Sequence, residues 1–115
     1  MDDEPLVRDV SRRMMGKLGH STTLCKDGET CVQAFKEAME KGQPYDLVIM
    51  DLTIPGGMGG EAAIKQVLAM DPEARVVLAS GYSNDPVLAD YQAHGFKAVV
   101  TKPYTVDSVK MALSK

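Results

Sequence analysis

Tyr45-Asp-Leu-Val-Ile-Met-Asp-Leu-Thr-Ile-Pro-Gly-Gly-Met-Gly-Gly60 joins a short apolar run to a glycine-rich loop through one acid, Asp51. The run, Leu47 to Met50, has the length and side chains of a strand buried on both faces of a sheet. The proline and glycines that follow Asp51 belong to a surface loop. Asp51 is therefore expected at the carboxyl edge of a sheet, where open α/β proteins bind ligands and do chemistry.

Working downstream, Glu61 to Met70 carries Ile64, Val67 and Leu68 on one helical face and ends at Asp71-Pro72. Arg75 to Ala79 reads as a strand, stopped by the turn formers Ser80-Gly81-Tyr82-Ser83-Asn84-Asp85. Pro86 opens a short helix through Leu88 and Tyr91, ended by Gly95, and Ala98 to Thr101 is a further strand broken by Lys102-Pro103. Thr105 can cap a last helix in which Val106, Val109 and Leu113 share a face. Upstream, Pro5 opens a helix over Leu6 to Leu18 with Val7, Val10, Met14 and Leu18 at helical spacing, closed by Gly19. His20 to Cys25 is a strand candidate with two threonines. Asp27-Gly28 turns into a helix over Glu29 to Lys41, built around Val32, Phe35 and Met39 and ended by Gly42.

Strands joined by single helices predict an α/β domain with a doubly wound parallel sheet, right-handed crossovers and helices on both faces. The pattern opens on a helix, yet the acids in front of it would normally end a preceding strand, of which Met1 is the last residue. That first strand is expected to be missing or truncated, and residues 1–115 to be a single domain excised from a longer protein. A stable fold would then need a strand swap, a partner strand or residues upstream of Met1.

Composition narrows the function. The 115 residues are 44% hydrophobic with no Trp, which suits one domain with an aliphatic core. The net charge is −3, and Lys and Arg are scattered rather than clustered, which excludes a nucleic-acid stripe or a basic membrane face. No stretch is long enough to span a bilayer and no signal peptide opens the chain, so a soluble, cytoplasmic segment is expected. Cys25 and Cys31, with only His20 and His94, build no zinc pattern and read as free thiols in a reducing compartment.

The polar residues at the strand ends carry the chemistry. Asp2-Asp3-Glu4, Asp51, Ser80 and Lys102 all follow, or should follow, carboxyl ends of parallel strands, so they converge on one edge. Crowded carboxylates repel unless a hard cation joins them, and oxygen ligands with room for water suit Mg²⁺. Ser80 adds a hydroxyl and Lys102 a compact positive charge, both suited to a phosphoryl group. The set points to attack on phosphorus by Asp51, giving an acyl phosphate. Taken singly, each piece also has a plain structural reading, as a helix-start acid or a turn former.

Asp-Asp-Glu-Pro, Asp-Leu-Val-Ile-Met-Asp, Ile-Pro-Gly-Gly-Met-Gly-Gly, Ala-Ser-Gly-Tyr-Ser and Thr-Lys-Pro-Tyr occur in that order over essentially the whole chain. In this the chain resembles the receiver domain of two-component response regulators, a flavodoxin-like fold with strand order 2-1-3-4-5. The resemblance implies that Asp51 is the phosphoacceptor, fed from a phosphohistidine on a sensor histidine kinase or a histidine phosphotransfer domain. It implies Mg²⁺ held by Asp3, Asp51 and the backbone carbonyl of Thr53, with Asp2 reaching it mainly through water. Ser80 would be the switch hydroxyl, Lys102 the partner of the phosphate, and the Lys102-Pro103 bond cis. Rate control would lie near Thr53 and Tyr82. The family's switch aromatic falls at Val99, so Ser80 is expected to shift without an aromatic swing. The loop wording is most similar to receivers of hybrid sensor histidine kinases, which pass phosphate within a relay.

Three alternatives stay open at this stage. A degenerate receiver would serve only for docking. A haloacid-dehalogenase-like phosphatase would need an acid where Thr53 stands. The run Gly57-Met58-Gly59-Gly60-Glu61-Ala62 formally matches a dinucleotide fingerprint, without the following acid that such a site uses.

Overall fold

A computed structural model of the chain describes residues 1–81, 86–102 and 104–113. The element order is α1 (Pro5–Lys17), α2 (Gly28–Glu40), β1 (Val48–Asp51), α3 (Gly60–Met70), β2 (Val76–Ser80), α4 (Pro86–Ala89), β3 (Ala98–Thr101) and α5 (Val106–Leu113). The three strands form one parallel sheet in the order β1-β2-β3. They match the last three strands of the expected order, and the α/β class stands.

Alternation along β2 divides the core in two. Val76 and Leu78 face one side, with Met50, Phe35 of α2, Ile64 and Val67 of α3, Val87 and Phe96. Val77 and Ala79 face the other, with Ala98, Val100 and Ala112 of α5. Every β2 residue is buried, as a central strand with a helix layer on each face requires.

The helices start where local chemistry satisfies their first N–H groups. The Asp27 carboxylate accepts from the Thr30 N–H at 2.9 Å, and the Thr30 hydroxyl accepts from the Asp27 N–H in return. Thr105 and Ser108 cap α5 by the same reciprocal pattern, both bonds at 3.0 Å. Glycines matter most where α3 begins. A Cβ on Gly60 would lie 2.8 Å from the Asp51 carbonyl oxygen, and one on Gly59 would strike the Leu52 carbonyl. The Gly-rich run thus lets the start of α3 press on the end of β1; it is a close backbone contact, and this is what the fingerprint-like spacing serves.

Four expectations need correction. Residues 20–25 form no strand. A strand is defined by its neighbour, and here the neighbour is only Met1 and Asp2: Asp2 N–H donates to the Cys25 carbonyl (3.0 Å), Asp51 N–H donates to the Met1 carbonyl (2.9 Å), and the Met1 nitrogen reaches the Ile49 carbonyl (2.6 Å). Those two residues lie between the 20–25 segment and β1, and the rest of the gap is a cavity of about 800 Å³. Second, β1 is not buried on both faces throughout, because Val48 and Ile49 beside that cavity are half-buried. Third, the apolar stripe of α1 is not fully buried: Val7, Met14 and Leu18 are half-buried and Val10 is 43% exposed. Fourth, the inner face of α5 is Val109 and Ala112, while Val106 is exposed and the side chain of Leu113 lies outside the described residues.

Candidate functional site

The sheet register builds the site. Asp51 pairs with Ala79 and Ser80 with Thr101, so the last residues of β1 and β2 and the residue after β3 share one edge. Lys102 N–H donates to the Ser80 carbonyl at 2.9 Å, which fixes the lysine backbone against the end of β2. Asp2 and Asp3 arrive at the same edge because the Met1 carbonyl is tied to Asp51 N–H.

Asp2, Asp3 and Asp51 each offer a carboxylate oxygen within 4.8 Å of the others. Asp2 and Asp51 are buried, and Asp3 is exposed. Lys102 Nζ sits 2.9 Å from Asp51 Oδ2 and 2.6 Å from Asp2 Oδ2, with 17% of its side chain exposed. The Asp51 contact is an aligned hydrogen bond. The Asp2 contact is an ion pair only, and Asp2 Oδ2 has no aligned hydrogen-bond donor. Asp2 Oδ1 accepts from the Glu4 N–H at 3.0 Å, which turns the chain into α1.

One ammonium faces three carboxylates, and the charges respond. Burial pushes the Asp51 carboxyl above its ordinary range; Lys102 opposes the shift, and the charges of Asp2 and Asp3 add to it. Burial works against the ammonium of Lys102, but its contacts with Asp2 and Asp51 outweigh it and hold the lysine above the usual range. An all-oxygen donor set in which three carboxylates share one ammonium, and so keep excess negative charge, fits a hard divalent cation.

The expected residues are thus brought together: Asp2, Asp3, Asp51 and Lys102 by direct proximity, and buried Ser80 by its place at the same strand end. Thr53 is exposed in the loop two residues beyond β1. Tyr82 and Pro103, with the expected cis bond, lie outside the described residues. Two neighbours had escaped notice in the sequence. Arg8 Nη1 donates to the Asp2 carbonyl at 2.8 Å, and Tyr104 is raised in pKa by burial and by the charge of Asp2. Arg8 carries no sequence signal, since its role depends on how α1 leaves Asp2. Tyr104 stood in a quoted motif without a role.

A family model described as the response regulator receiver domain matches residues 1–114. Among curated relatives, the chemotaxis protein CheY of Bacillus subtilis (strain 168) is 28% identical over 116 residues, covering 100% of this chain and 92% of that protein. The transcription factor SKN7 of Candida albicans is 26% identical over 115 residues, and there the chain spans only 20% of the relative's length. Among solved structures, the receiver domain of a sensor histidine kinase of Pseudomonas aeruginosa PAO1, with magnesium in its active-site cleft, superposes with a TM-score of 0.84. The match covers 99% of this chain and 90% of that one at 21% identity, a likeness of fold.

Proposed function

Because this chain belongs to the response regulator receiver domain family, we propose that it accepts a phosphoryl group on Asp51 in a Mg²⁺-dependent transfer from a phosphohistidine. The observation that carries the reading is Lys102 Nζ within 2.9 Å of Asp51 Oδ2 and 2.6 Å of Asp2 Oδ2, inside a triad of carboxylates. A carboxylate attacks phosphorus slowly because both partners are negative. A lysine held at the nucleophile lowers that repulsion in the transition state.

In the transfer an Asp51 carboxylate oxygen forms the new O–P bond while the donor's N–P bond breaks. The electron pair leaves with the imidazole, which regains a proton. Asp3, Asp51 and the Thr53 carbonyl would hold the cation directly, with Asp2 acting mainly through water. When bound, Mg²⁺ supplies positive charge against the transferring phosphoryl oxygens. Buried Ser80 offers its hydroxyl to the same oxygens, and Lys102 keeps its place beside Asp51 to pair with the product. Val99 in β3 is half-buried and aliphatic, so the response on that face is a shift of Ser80 and its loop without an aromatic rotation.

The donor is a sensor histidine kinase or a histidine phosphotransfer domain, and the loop wording favours a receiver of a hybrid kinase working in the cytoplasm. No helix among the described residues is long and apolar enough to cross a membrane. Intact mass after acetyl phosphate with Mg²⁺ tests the reading. A single phosphoryl adduct is expected on the wild type and none on Asp51→Asn. An adduct that persists in Asp51→Asn overturns the assignment, and sustained turnover of an aryl phosphate would point to the phosphatase alternative.

A further inference from the structure

Asp2 has a partner for each of its polar groups, and one of those partners has no part in the proposed transfer. Its N–H donates to the Cys25 carbonyl at 3.0 Å, its Oδ1 accepts from the Glu4 N–H at 3.0 Å, and its Oδ2 lies 2.6 Å from Lys102 Nζ. The Asp2 carbonyl accepts from Arg8 Nη1 at 2.8 Å. Arg8 is half-buried, one turn into α1.

Arg8 holds the same segment twice. Its own N–H donates to the Glu4 carbonyl at 3.1 Å, and its guanidinium reaches back to the Asp2 carbonyl. With the Glu4 N–H on Asp2 Oδ1, residues 2, 4 and 8 are tied to one another in a closed set. Glu4 is the N-cap of α1 and its side chain makes no capping bond, so these three bonds hold the turn from Asp2 into the helix instead. Pro5 lies inside the turn, fixes its own φ and has no N–H to satisfy.

A peptide unit is planar, so the Asp2 carbonyl and the Asp3 N–H turn together. Holding the carbonyl oxygen therefore sets the direction in which the chain carries Asp3. Asp3 is exposed, so its place at the site depends on that backbone. A guanidinium suits the task, because it stays charged and a charge-assisted bond to a carbonyl is stronger than a neutral one. Its charge has the opposite effect, since a second positive group beside Asp2 repels a divalent cation. That repulsion acts from a half-exposed side chain and is screened by solvent and salt, whereas the hydrogen bond acts at contact. Positioning is the larger effect.

We propose that Arg8 is a positioning residue for the cation site: from α1 it fixes the Asp2–Asp3 peptide, so that both carboxylates face the site before Mg²⁺ arrives. The inference rests on the proposed reading of Asp3 and Asp51 as cation ligands. Linkage is reciprocal, so a bound ion should in turn tighten the Arg8 contact.

The test titrates the full chain with Mg²⁺ and follows the backbone amide resonances of Asp51 and Lys102 by NMR. Only folded-state resonances are read, so a loss of stability does not by itself change the dissociation constant. Arg8→Met keeps a long side chain without the donor or the charge, and should bind Mg²⁺ roughly tenfold more weakly than the wild type. Arg12→Met removes a charge from an exposed position one turn further along α1, and should stay within about twofold. If Arg8 acted through its charge alone, Arg8→Met would bind Mg²⁺ more tightly, so an affinity equal to or above that of the wild type overturns the inference. A second measurement needs no variant. The Arg8 Nη hydrogens of the wild type should exchange with water at least about twofold more slowly when Mg²⁺ is bound, and a rate that does not change would overturn the coupling. Should Mg²⁺ leave the wild-type resonances unmoved, the cation site itself fails and the role of Arg8 falls with it. Neither readout needs phosphoryl transfer, so failure of Asp51 to take a phosphoryl group is a separate result.

Discussion

Asp51 is a buried carboxylate whose nearest cation is shared, and this sets the sign of its effect on stability. Burial and the neighbouring Asp2 and Asp3 raise its pKa above the ordinary 3.8 despite Lys102. Below that ordinary value Asp51 is protonated in both folded and unfolded chains. As pH rises toward the folded value, the unfolded chain releases the proton first, and the folded state loses the stability that the protonated group gave it. Asp51→Asn should therefore match the wild type near roughly pH 3 and become the more stable of the two as pH rises to neutral without metal. Urea unfolding at several pH values with chelator present measures the gap, and Mg²⁺ should close or reverse it. A gap that shrinks as pH rises would contradict the charge argument. Lys102→Ala acts the other way. It leaves Asp2 and Asp51 buried without their shared cation, at a cost of about 2–4 kcal/mol in metal-free protein. Millimolar Mg²⁺ should restore much of that midpoint while phosphoryl uptake stays low, which separates the structural from the catalytic part of the lysine.

At the scale of elements, the same glycine residue type has opposite meanings in two helices. Gly16 lies inside α1 with nothing within 4 Å of an added Cβ, so Gly16→Ala should raise stability by about 0.5–1 kcal/mol through a stiffer unfolded chain and better helix propensity. Gly60 opens α3 with its Cβ position 2.8 Å from the Asp51 carbonyl, so Gly60→Ala should cost about 1–3 kcal/mol and move the end of β1. Thermal melts of the two variants should shift in opposite directions, and equal shifts would refute the packing account of the glycine-rich loop. That contrast also marks what the sequence disclosed. Helices α2 and α3 and strands β2 and β3 were legible to within a residue or two, because each carries its own period, caps and apolar run. Asp51, Ser80 and Lys102 were legible because strand ends in a parallel sheet share an edge. Residues 20–25 misled because two threonines among small side chains describe a strand only when a neighbour pairs with them. The stripe of α1 misled for a related reason: periodicity shows which side of a helix is apolar, and burial needs something underneath.

For the molecule as a whole, the weak point is the gap between residues 20–25 and β1. Met1 and Asp2 bridge its site end through three backbone contacts, and the Tyr45 hydroxyl donates to Thr23 Oγ1 at 2.9 Å across its far side. Between these ties β1 is an edge strand whose Val48 and Ile49 stay half-buried, and α1 lies over the space without fully burying a residue. The space has the place and lining for an extended segment parallel to β1. A variant that carries four β-branched apolar residues directly before Met1 supplies it. Each buried Val or Ile side chain contributes about 1.5–3 kcal/mol, against about 1–2 kcal/mol per residue to fix the backbone. New ladder bonds add about 0.5–1.5 kcal/mol each. The net gain is on the order of 2–4 kcal/mol, or a rise in Tm of roughly 5–15 °C. Residues 20–25 should then pair on the new strand, and amide exchange at Thr22 to Leu24 should slow at the same time as the melt rises. A Gly-Ser extension of equal length should give neither change, since it offers backbone without apolar surface. If the apolar extension leaves both readouts where they were, the cavity is not the shape of a strand, and α1 must find its cover elsewhere.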